Sequence, residues 1–247
     1  MNRKDIKVAI MIGVIALGLN SCGNNGGGND RNAAEDAVAG LVTEEPCDIS
    51  FAGIHFTKSI NGADKLVSVK GDTLHFSVGG MKDFFNNPNG EILSNAPILI
   101  SEVDNTKPFT LTAKVTPNFT KNGKYNAGVL YLYSDLHLYQ KFCFEQDERG
   151  NHRIVTVRTQ GTSDDNNHDI VVSPSVYMKI SSDTQTLAFY YSLDKLNWQL
   201  VRLYRNNYPE SIGLGLSAQC PAEDGSFALF EDVSLTTANV SDFRMGD

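Results

Sequence analysis

The sequence has few cysteines, a deficit of positive charge and no apolar run of membrane-spanning length, and each shortage excludes a class of protein. Four cysteines in 247 residues are too few for a disulfide-dense scaffold, and none has the CxxC spacing of a zinc site. Lysine and arginine number 21 against 29 acidic residues, which argues against nucleic acid as a partner because its phosphates require a basic surface. The apolar run from Val8 to Leu19 is shorter than the ~20 residues of a transmembrane helix. The acidic net charge is compatible with neutral and cationic ligands.

Residues 1–21 predict a secretory signal peptide, because a short basic region precedes the apolar run and small residues follow it. Leu19 and Ser21 before Cys22 resemble a bacterial lipobox, and this resemblance implies that Cys22 is lipidated. An ordinary cleaved signal with an incidental cysteine is the alternative. The predicted protein is exported and anchored to a membrane through lipid, at the cell surface or on the periplasmic face.

The rest of the chain divides into a tether and one domain. Residues 22–45 are rich in Gly and Asn and predict a flexible tether, with weak helical character only at 33–42. Residues 46–247 form the predicted domain. Apolar residues make up 41% of the chain, including 13 Phe and 9 Tyr, which is enough to fill one core without disulfides or metals.

If Cys22 is acylated, three cysteines remain in an oxidising compartment: Cys47, Cys143 and Cys220. At most one disulfide can form among them, and their spacing does not decide which. Cys143 lies in a strand-like run between two phenylalanines, where a free cysteine acts as a small buried side chain. We expect structural roles for all three.

From residue 49 onward, short apolar and β-branched runs alternate with Gly, Asn, Asp and Pro, which is typical of strands and tight turns. The predicted strands are Leu66–Lys70, Thr73–Val78, Ile98–Val103, Phe109–Val115, Ala127–Tyr133, Tyr139–Glu145, Arg153–Thr159, Ser175–Ile180, Leu187–Ser192, Gln199–Tyr204, Ile212–Ala218 and Ala228–Leu235. Strands without intervening helices predict an all-β fold, a two-sheet antiparallel jelly-roll sandwich.

Several segments match a known family, among them FTLTAKVTP at 109–117, KFCFE at 141–145, RIVTVRTQGTSDDNNH at 153–168 and FEDVSL at 230–235. On these segments the chain resembles the concanavalin A-like lectin/glucanase superfamily, and within it a bacterial domain-of-unknown-function family labelled regulation-of-enolase-like. The resemblance implies two curved sheets with ligands on the concave face or at the loop rim. Similar modules accompany bacterial β-xylosidases and other glycan-degrading enzymes, so a glycan is the expected partner.

The hydrolase motif of that superfamily, E-x-D-x-x-E, is absent. It supplies two carboxylates that flank the scissile bond, ~5 Å apart in retaining enzymes. The nearest match begins at Glu145, but Gly150 stands where the second glutamate is required. This departure favours recognition over hydrolysis, although a carboxylate pair from different strands remains possible.

Strand parity favours a polar face beside the KFCFE run. Phe142 and Phe144 share one face, and Lys141 and Glu145 share the other. If the phenylalanines fill the core, Lys141 and Glu145 face the open side of the sheet. We expect Arg158, on the next strand, to stand beside Glu145, where the pair could hydrogen-bond a polyhydroxyl ligand. The alternative is a surface ion pair on a solvated face.

Residues 161–169 predict a dense polar loop directly after the Arg158 strand. It contains Asp164, Asp165, Asn167 and His168. The pattern fits a loop that closes its own backbone, part of a sugar-binding rim, or a Ca²⁺ site. Calcium is the weakest of the three because no Asp-x-Asp-x-Asp-Gly spacing is present, and no other cofactor is expected.

Asn95 and Gln219 are further candidates at the rim of the ligand site. The segment Asp83-Phe84-Phe85 also suits carbohydrate, because aromatic rings stand beside acidic and amide groups, although at least one of the two phenylalanines is expected to pack in the interior. The leading hypothesis is carbohydrate binding as an accessory to glycan utilisation. The first alternative is a glycoside hydrolase or lyase that uses Glu145 with Asp165 and His168 as acid and base. The second alternative is a structural or protein-interaction lipoprotein.

Overall fold

A computed structural model describes residues 42–247, which form seventeen strands and one three-residue 3₁₀ turn, Ala63–Lys65. The strands are β1 (Glu44–Phe51), β2 (Ile54–Ile60), β3 (Val67–Lys70), β4 (Thr73–Gly79), β5 (Phe84–Asn86), β6 (Ile92–Ser94), β7 (Ile98–Asp104), β8 (Phe109–Pro117), β9 (Ala127–Asp135), β10 (Leu138–Gln146), β11 (His152–Gln160), β12 (Thr162–Ile170), β13 (Val176–Ser182), β14 (Thr186–Ser192), β15 (Gln199–Arg205), β16 (Ser211–Gln219) and β17 (Gly225–Thr236). The predicted signal peptide, Cys22, most of the tether and, except for Val42, the predicted helix lie outside the described residues.

Two large sheets carry the fold. The first sheet has eight strands in the order β1-β2-β7-β16-β9-β10-β11-β12, and the second has seven in the order β15-β14-β13-β8-β17-β4-β3. The strand pairs within both sheets are antiparallel, as in β10 with β11 and β17 with β8. The prediction of an all-β, two-sheet antiparallel sandwich is therefore confirmed.

The main core lies between the sheets and follows from alternation along each strand. Phe142 and Phe144 of β10 point inward and are fully buried. Phe142 meets Phe189 of the second sheet edge to face, with ring centroids 5.7 Å apart. Aromatic pairs in this geometry stabilise a core by about 0.5–1.5 kcal/mol beyond the area that they bury.

The outer face of the first sheet carries a second apolar cluster, which the hairpin β5–β6 covers. Phe84 of the hairpin is buried edge-on against Tyr131, Tyr133 and Tyr139, at centroid distances of 6.3, 6.1 and 5.2 Å. Asn86 fixes the hairpin through bonds from Nδ2 to the carbonyl oxygens of Leu136 and Gly161, at 3.0 and 2.9 Å. The hairpin therefore closes one part of this face and leaves the rest open.

The outer face of the second sheet is covered by the C-terminal segment. Val240 and Phe243 pack with Tyr190 and Trp198, and the Tyr190 hydroxyl donates to the Phe243 carbonyl at 2.8 Å. The ammonium of Lys179 lies 3.7 Å from the Trp198 ring centroid. A different segment therefore covers part of each outer face of the sandwich.

Cys47, Cys143 and Cys220 all carry free thiols, and the last two are buried. Their burial matches the expected structural role. Between residues 42 and 247, no helix has the length and apolar character needed to cross a membrane.

Candidate functional site

A pocket of about 330 Å³ opens on the uncovered part of the first sheet's outer face. Its polar and aromatic lining comes from five parts of the chain. These are residues 83–85 at the start of the hairpin, the turn before β9, β10, β12 and the end of β16. These lining residues include Asp83, Phe85, Tyr125, Lys141, Glu145, Asp165 and Gln219. Concave pockets of this size with a few convergent polar groups are the usual form of small-ligand sites.

Lys141 is the polar centre of the pocket floor, and its side chain is only 4% exposed. Its ammonium donates to Asp83 Oδ1 at 3.1 Å and to Gln219 Oε1 at 3.2 Å. Burial alone would lower the pKa of Lys141, but Asp83 and further negative groups outweigh it and raise the pKa above its usual value. Gln219 in turn donates to the Tyr131 hydroxyl at 2.6 Å. Because an ammonium has three donors, one remains for a ligand.

Glu145 and Asp165 are the two carboxyls of the pocket without a cation. Burial raises the pKa of Glu145 to about 8, with Lys141 opposing this shift and Asp83 and Asp165 adding to it. Glu145 is therefore mostly protonated at pH 7 and can donate a hydrogen bond as well as accept one. Burial also raises the pKa of Asp165.

Two aromatic rings form part of the pocket wall. The Phe85 ring lies 5.7 Å from the Lys141 ammonium. Tyr125 is 40% exposed and has a φ of 63°, a left-handed conformation that is unfavourable for a bulky side chain. Such strain persists where the surrounding structure fixes it, often at ligand sites. The bond from the Tyr125 N–H to the Gln146 carbonyl, at 2.6 Å, holds this conformation.

The prediction of a loop at 161–169 is wrong, because most of this segment is the edge strand β12 paired with β11. Asp165 lies opposite Val157 and faces the pocket, whereas Asp164 lies opposite Arg158 and faces the other way. Asp164 Oδ2 accepts a bond from Arg202 Nη2 at 2.6 Å. The neighbouring side chains of Asp164 and Asp165 therefore lie on opposite sides of the sheet.

Strand geometry also separates the other polar residues of this segment. His168 Nδ1 lies 3.2 Å from Asp169 Oδ2, its ring meets Tyr191 edge to face, and it does not line the pocket. Asn167 lies opposite Val155, on the same face of β12 as Asp165, but it is exposed and does not line the pocket. No group of three or more His, Cys, Asp or Glu within 42–247 is arranged to hold a metal ion, so nothing in the geometry supports the calcium alternative.

Arg158 does not stand beside Glu145, which corrects the predicted pair. In the β10–β11 register Arg158 lies opposite Gln140, so its side chain points away from the pocket. Its guanidinium carbon is 4.2 Å from the centroid of the Tyr204 ring. The strand alternation was right, but the sequence did not show which faces of the two strands coincide.

The arginine opposite Glu145 is Arg153. Its Nε donates to Asp147 Oδ2 at 3.1 Å, and Nη1 donates to the His168 carbonyl at 2.7 Å. Arg153 thus links the turn after β10 to β12. Its guanidinium is used in these bonds, and Glu145 has no cationic partner among residues 42–247.

Asn95 has a structural role. Its Oδ1 accepts from the Asp83 N–H at 2.9 Å, and its Nδ2 donates to the Met81 carbonyl at 3.0 Å. It therefore positions Asp83 without lining the pocket. Asp83, 58 positions before Lys141, and Phe85 line the pocket, and the sequence marked their segment because an acidic residue stands directly before an aromatic pair. No sequence pattern marked Tyr125 as a pocket residue.

Comparisons with known proteins agree with the architecture. A family described as "Protein of unknown function (DUF1349)" matches residues 60–238, and no curated protein sequence matches the chain. A functionally unknown protein from Saccharomyces cerevisiae has a similar structure, with a TM-score of 0.63 and 19% identity over 80% of this chain and 97% of that chain.

Two GH43 proteins also share the fold. The Bacteroides ovatus xyloglucan PUL GH43B gives a TM-score of 0.55 at 12% identity, over 79% of this chain and 39% of that one. A bifunctional GH43-CE protein from Bacteroides eggerthii gives 0.52 at 18% identity, over 70% and 22%. This chain therefore spans well under half the length of either GH43 protein, and identities this low show a common fold alone. The family is shown by the sequence match instead. Because that match covers residues 60–238, the chain belongs to the DUF1349 family.

Proposed function

We propose that the protein binds glycan in the pocket on the outer face of the first sheet, as an accessory to glycan utilisation. The observation that carries this proposal is the convergence of Lys141, Glu145, Asp165 and Gln219 on one pocket beside aromatic rings. Sugar hydroxyls both donate and accept hydrogen bonds, and the apolar faces of sugar rings stack on aromatic side chains. The free donor of Lys141 and the protonated carboxyl of Glu145 suit this chemistry.

The shared fold supports a carbohydrate context. The two Bacteroides proteins have GH43 in their names, and one is also named for xyloglucan. We further propose that the domain is concanavalin A-like, as its sequence resemblance implies. The resemblance implies ligands on the concave face or at the loop rim, and under this proposal the pocket on the outer face of the first sheet would take that place.

The cellular setting is part of the same proposal. Residues 1–21 would direct export, acylation of Cys22 would anchor the chain, and residues 22–45 would hold the sandwich away from the membrane. Replacement of Cys22 by Ala should move the expressed protein from the detergent phase to the aqueous phase in a detergent-partition experiment. Retention of the variant in the detergent phase would contradict lipid anchoring.

A hydrolytic or lyase function is the second candidate, and the raised pKa of Glu145 is the observation that favours it. A carboxyl with a pKa of about 8 is a suitable general acid near neutral pH, and Asp165 lies in the same pocket as a possible base. His168 lies outside the pocket, so it has no part in this version. Release of reducing ends from a retained polysaccharide, lost in Glu145→Gln, would identify an enzyme.

Affinity electrophoresis in gels that contain xylan, xyloglucan, pectin or chitosan tests glycan binding directly. Asp164 and Asp165 offer a matched pair, since their changes to Asn remove the same charge from opposite faces of β12. We expect the wild type and Asp164→Asn to be retarded by at least one polysaccharide, and Asp165→Asn to lose most of that retardation. Equal retardation of both variants would place binding elsewhere, and no retardation in any gel would contradict glycan binding.

A further inference from the structure

The pocket has more acidic groups than cations. Asp83, Glu145 and Asp165 line it together with a single cation, Lys141. Lys141 is already bound to Asp83 and Gln219. Among residues 42–247, neither Glu145 nor Asp165 forms an ion pair or a hydrogen bond to another side chain. Two carboxyl groups are thus available for a ligand.

Without a cation this arrangement is energetically unfavourable. Glu145 is half-buried and Asp165 is exposed, and the partial removal of each carboxyl from water disfavours its charged form. The raised pKa values of Glu145 and Asp165 are the expected response to such an environment. A ligand cation would favour release of the Glu145 proton and stabilise both carboxyl groups in their ionised form, whereas a ligand carboxylate would repel them.

The walls of the pocket suit an ammonium group attached to a ring. The Phe85 ring already faces one ammonium, that of Lys141 at 5.7 Å, and Tyr125 adds a second aromatic ring to the lining. Aromatic faces attract cations and also stack against sugar rings. The volume of about 330 Å³ lies at the lower end of ligand pockets, which favours the end of a short saccharide over a large ligand.

We propose that this pocket selects a saccharide that carries a free amino group, such as a 2-amino-2-deoxy sugar, with the ammonium directed at Glu145 and Asp165. The inference rests on the proposed glycan binding. It orders ligands by charge: amino sugars bind most tightly, their N-acetylated and neutral counterparts less tightly, and uronic acids least. The other hydroxyls of the sugar would meet the third donor of Lys141.

Isothermal titration of the purified chain at pH 7 with four short oligosaccharides tests this order. The probes are oligomers of glucosamine, N-acetylglucosamine, xylose and galacturonic acid, matched in length. We expect the glucosamine oligomer to bind at least about tenfold more tightly than its N-acetylated counterpart, a difference of about 1.4 kcal/mol. Glu145→Gln and Asp165→Asn should each remove most of this preference.

Because the chain is acidic overall, non-specific attraction of a cationic ligand requires a control. Asp164→Asn changes the net charge by the same amount as Asp165→Asn outside the pocket, and it should keep the full preference. An equal loss in both variants would overturn the inference. Tighter or equal binding of the neutral or N-acetylated oligomers would also overturn it while leaving glycan binding intact, and no binding of any probe would count against both proposals.

Discussion

The two outer faces of the sandwich each bury a lysine, and the two lysines differ in their partners. Lys141 of the first sheet is bound to Asp83 and Gln219 and borders an open pocket. Lys179 of the second sheet donates to the Gly246 carbonyl at 2.6 Å and lies over Trp198. Burial lowers the pKa of Lys179 to about 8, whereas the pKa of Lys141 is raised.

This difference shows that burial alone does not make a ligand site. On the second sheet the C-terminal segment covers the lysine, so the part of the face around Lys179 is closed. On the first sheet the hairpin β5–β6 covers only part of the face, and the rest keeps carboxyl groups without partners. Four variants test this difference between the two faces.

Loss of the lysine head group should cost more at Lys141 than at Lys179. Lys141→Met leaves Asp83, whose side chain is 21% exposed, without its cation, and we expect a loss of about 2–3 kcal/mol in the free energy of unfolding. Lys179→Met loses one bond to a carbonyl and the contact of the ammonium with Trp198, but it also removes a charge that burial disfavours, and we expect a net cost of about 1 kcal/mol. Urea denaturation of both variants at pH 7 measures the difference. Equal losses would show that the two lysines are equivalent.

The stability of the first face should fall as pH rises. The pKa of Glu145 is raised from 4.5 to about 8, so between these values the folded chain holds a proton that the unfolded chain has released. Its contribution is fully present below pH 4.5 and is lost by pH 8, by about 1–3 kcal/mol after allowance for the openness of the pocket. Urea denaturation of wild type and Glu145→Gln from pH 4 to 9 should show a smaller decline in the variant. Parallel curves would mean that Glu145 titrates normally.

The second face should show the opposite slope at higher pH. The pKa of Lys179 is lowered from 10.5 to about 8, so between these values the unfolded chain binds more protons than the folded chain. The free energy of unfolding should therefore rise by about 1–2 kcal/mol across this interval. Lys179→Met should remove the rise, as thermal unfolding at pH 8 and pH 10 would show. Persistence of the rise in the variant would assign it to another group.

Arg158 should be nearly neutral for ligand binding, in contrast to its predicted role. Its guanidinium stacks on Tyr204 on the side of the sheet away from the pocket. We expect Arg158→Ala to destabilise the fold by about 1 kcal/mol through the lost cation–π contact, with unchanged retardation in affinity gels. Loss of retardation in a folded variant would show that Arg158 contributes to ligand binding.

Much of the fold could be predicted from the sequence, because alternation and turn residues mark most strands. All twelve predicted strands are present, with ends within three residues of those observed. The sequence also predicted correctly that Phe142 of β10 points inward and that Lys141 points outward. Strand β12 was missed because TSDDNNHDI lacks apolar alternation, and its extended form comes from pairing with β11 at the sheet edge. Strands β1, β2, β5 and β6 were missed as well.

The candidate site was less predictable, because it depends on register and on distant contacts. A strand pattern shows which side chains share a face but not which faces of two strands coincide, and this is why Arg158 was misplaced. The partnership of Asp83 with Lys141 joins residues far apart in sequence through a hairpin that no local pattern positions. The sequence therefore could not predict which part of the outer face is covered and which part is open.

A crystal structure of the chain with a retained oligosaccharide tests the central claim most directly. We predict that the sugar lies on the open part of the first sheet, within hydrogen-bond distance of Lys141 and of Glu145 or Asp165, with a ring against Phe85 or Tyr125. A sugar bound against the second sheet, or at the rim formed by Phe119 and His152, would contradict the claim.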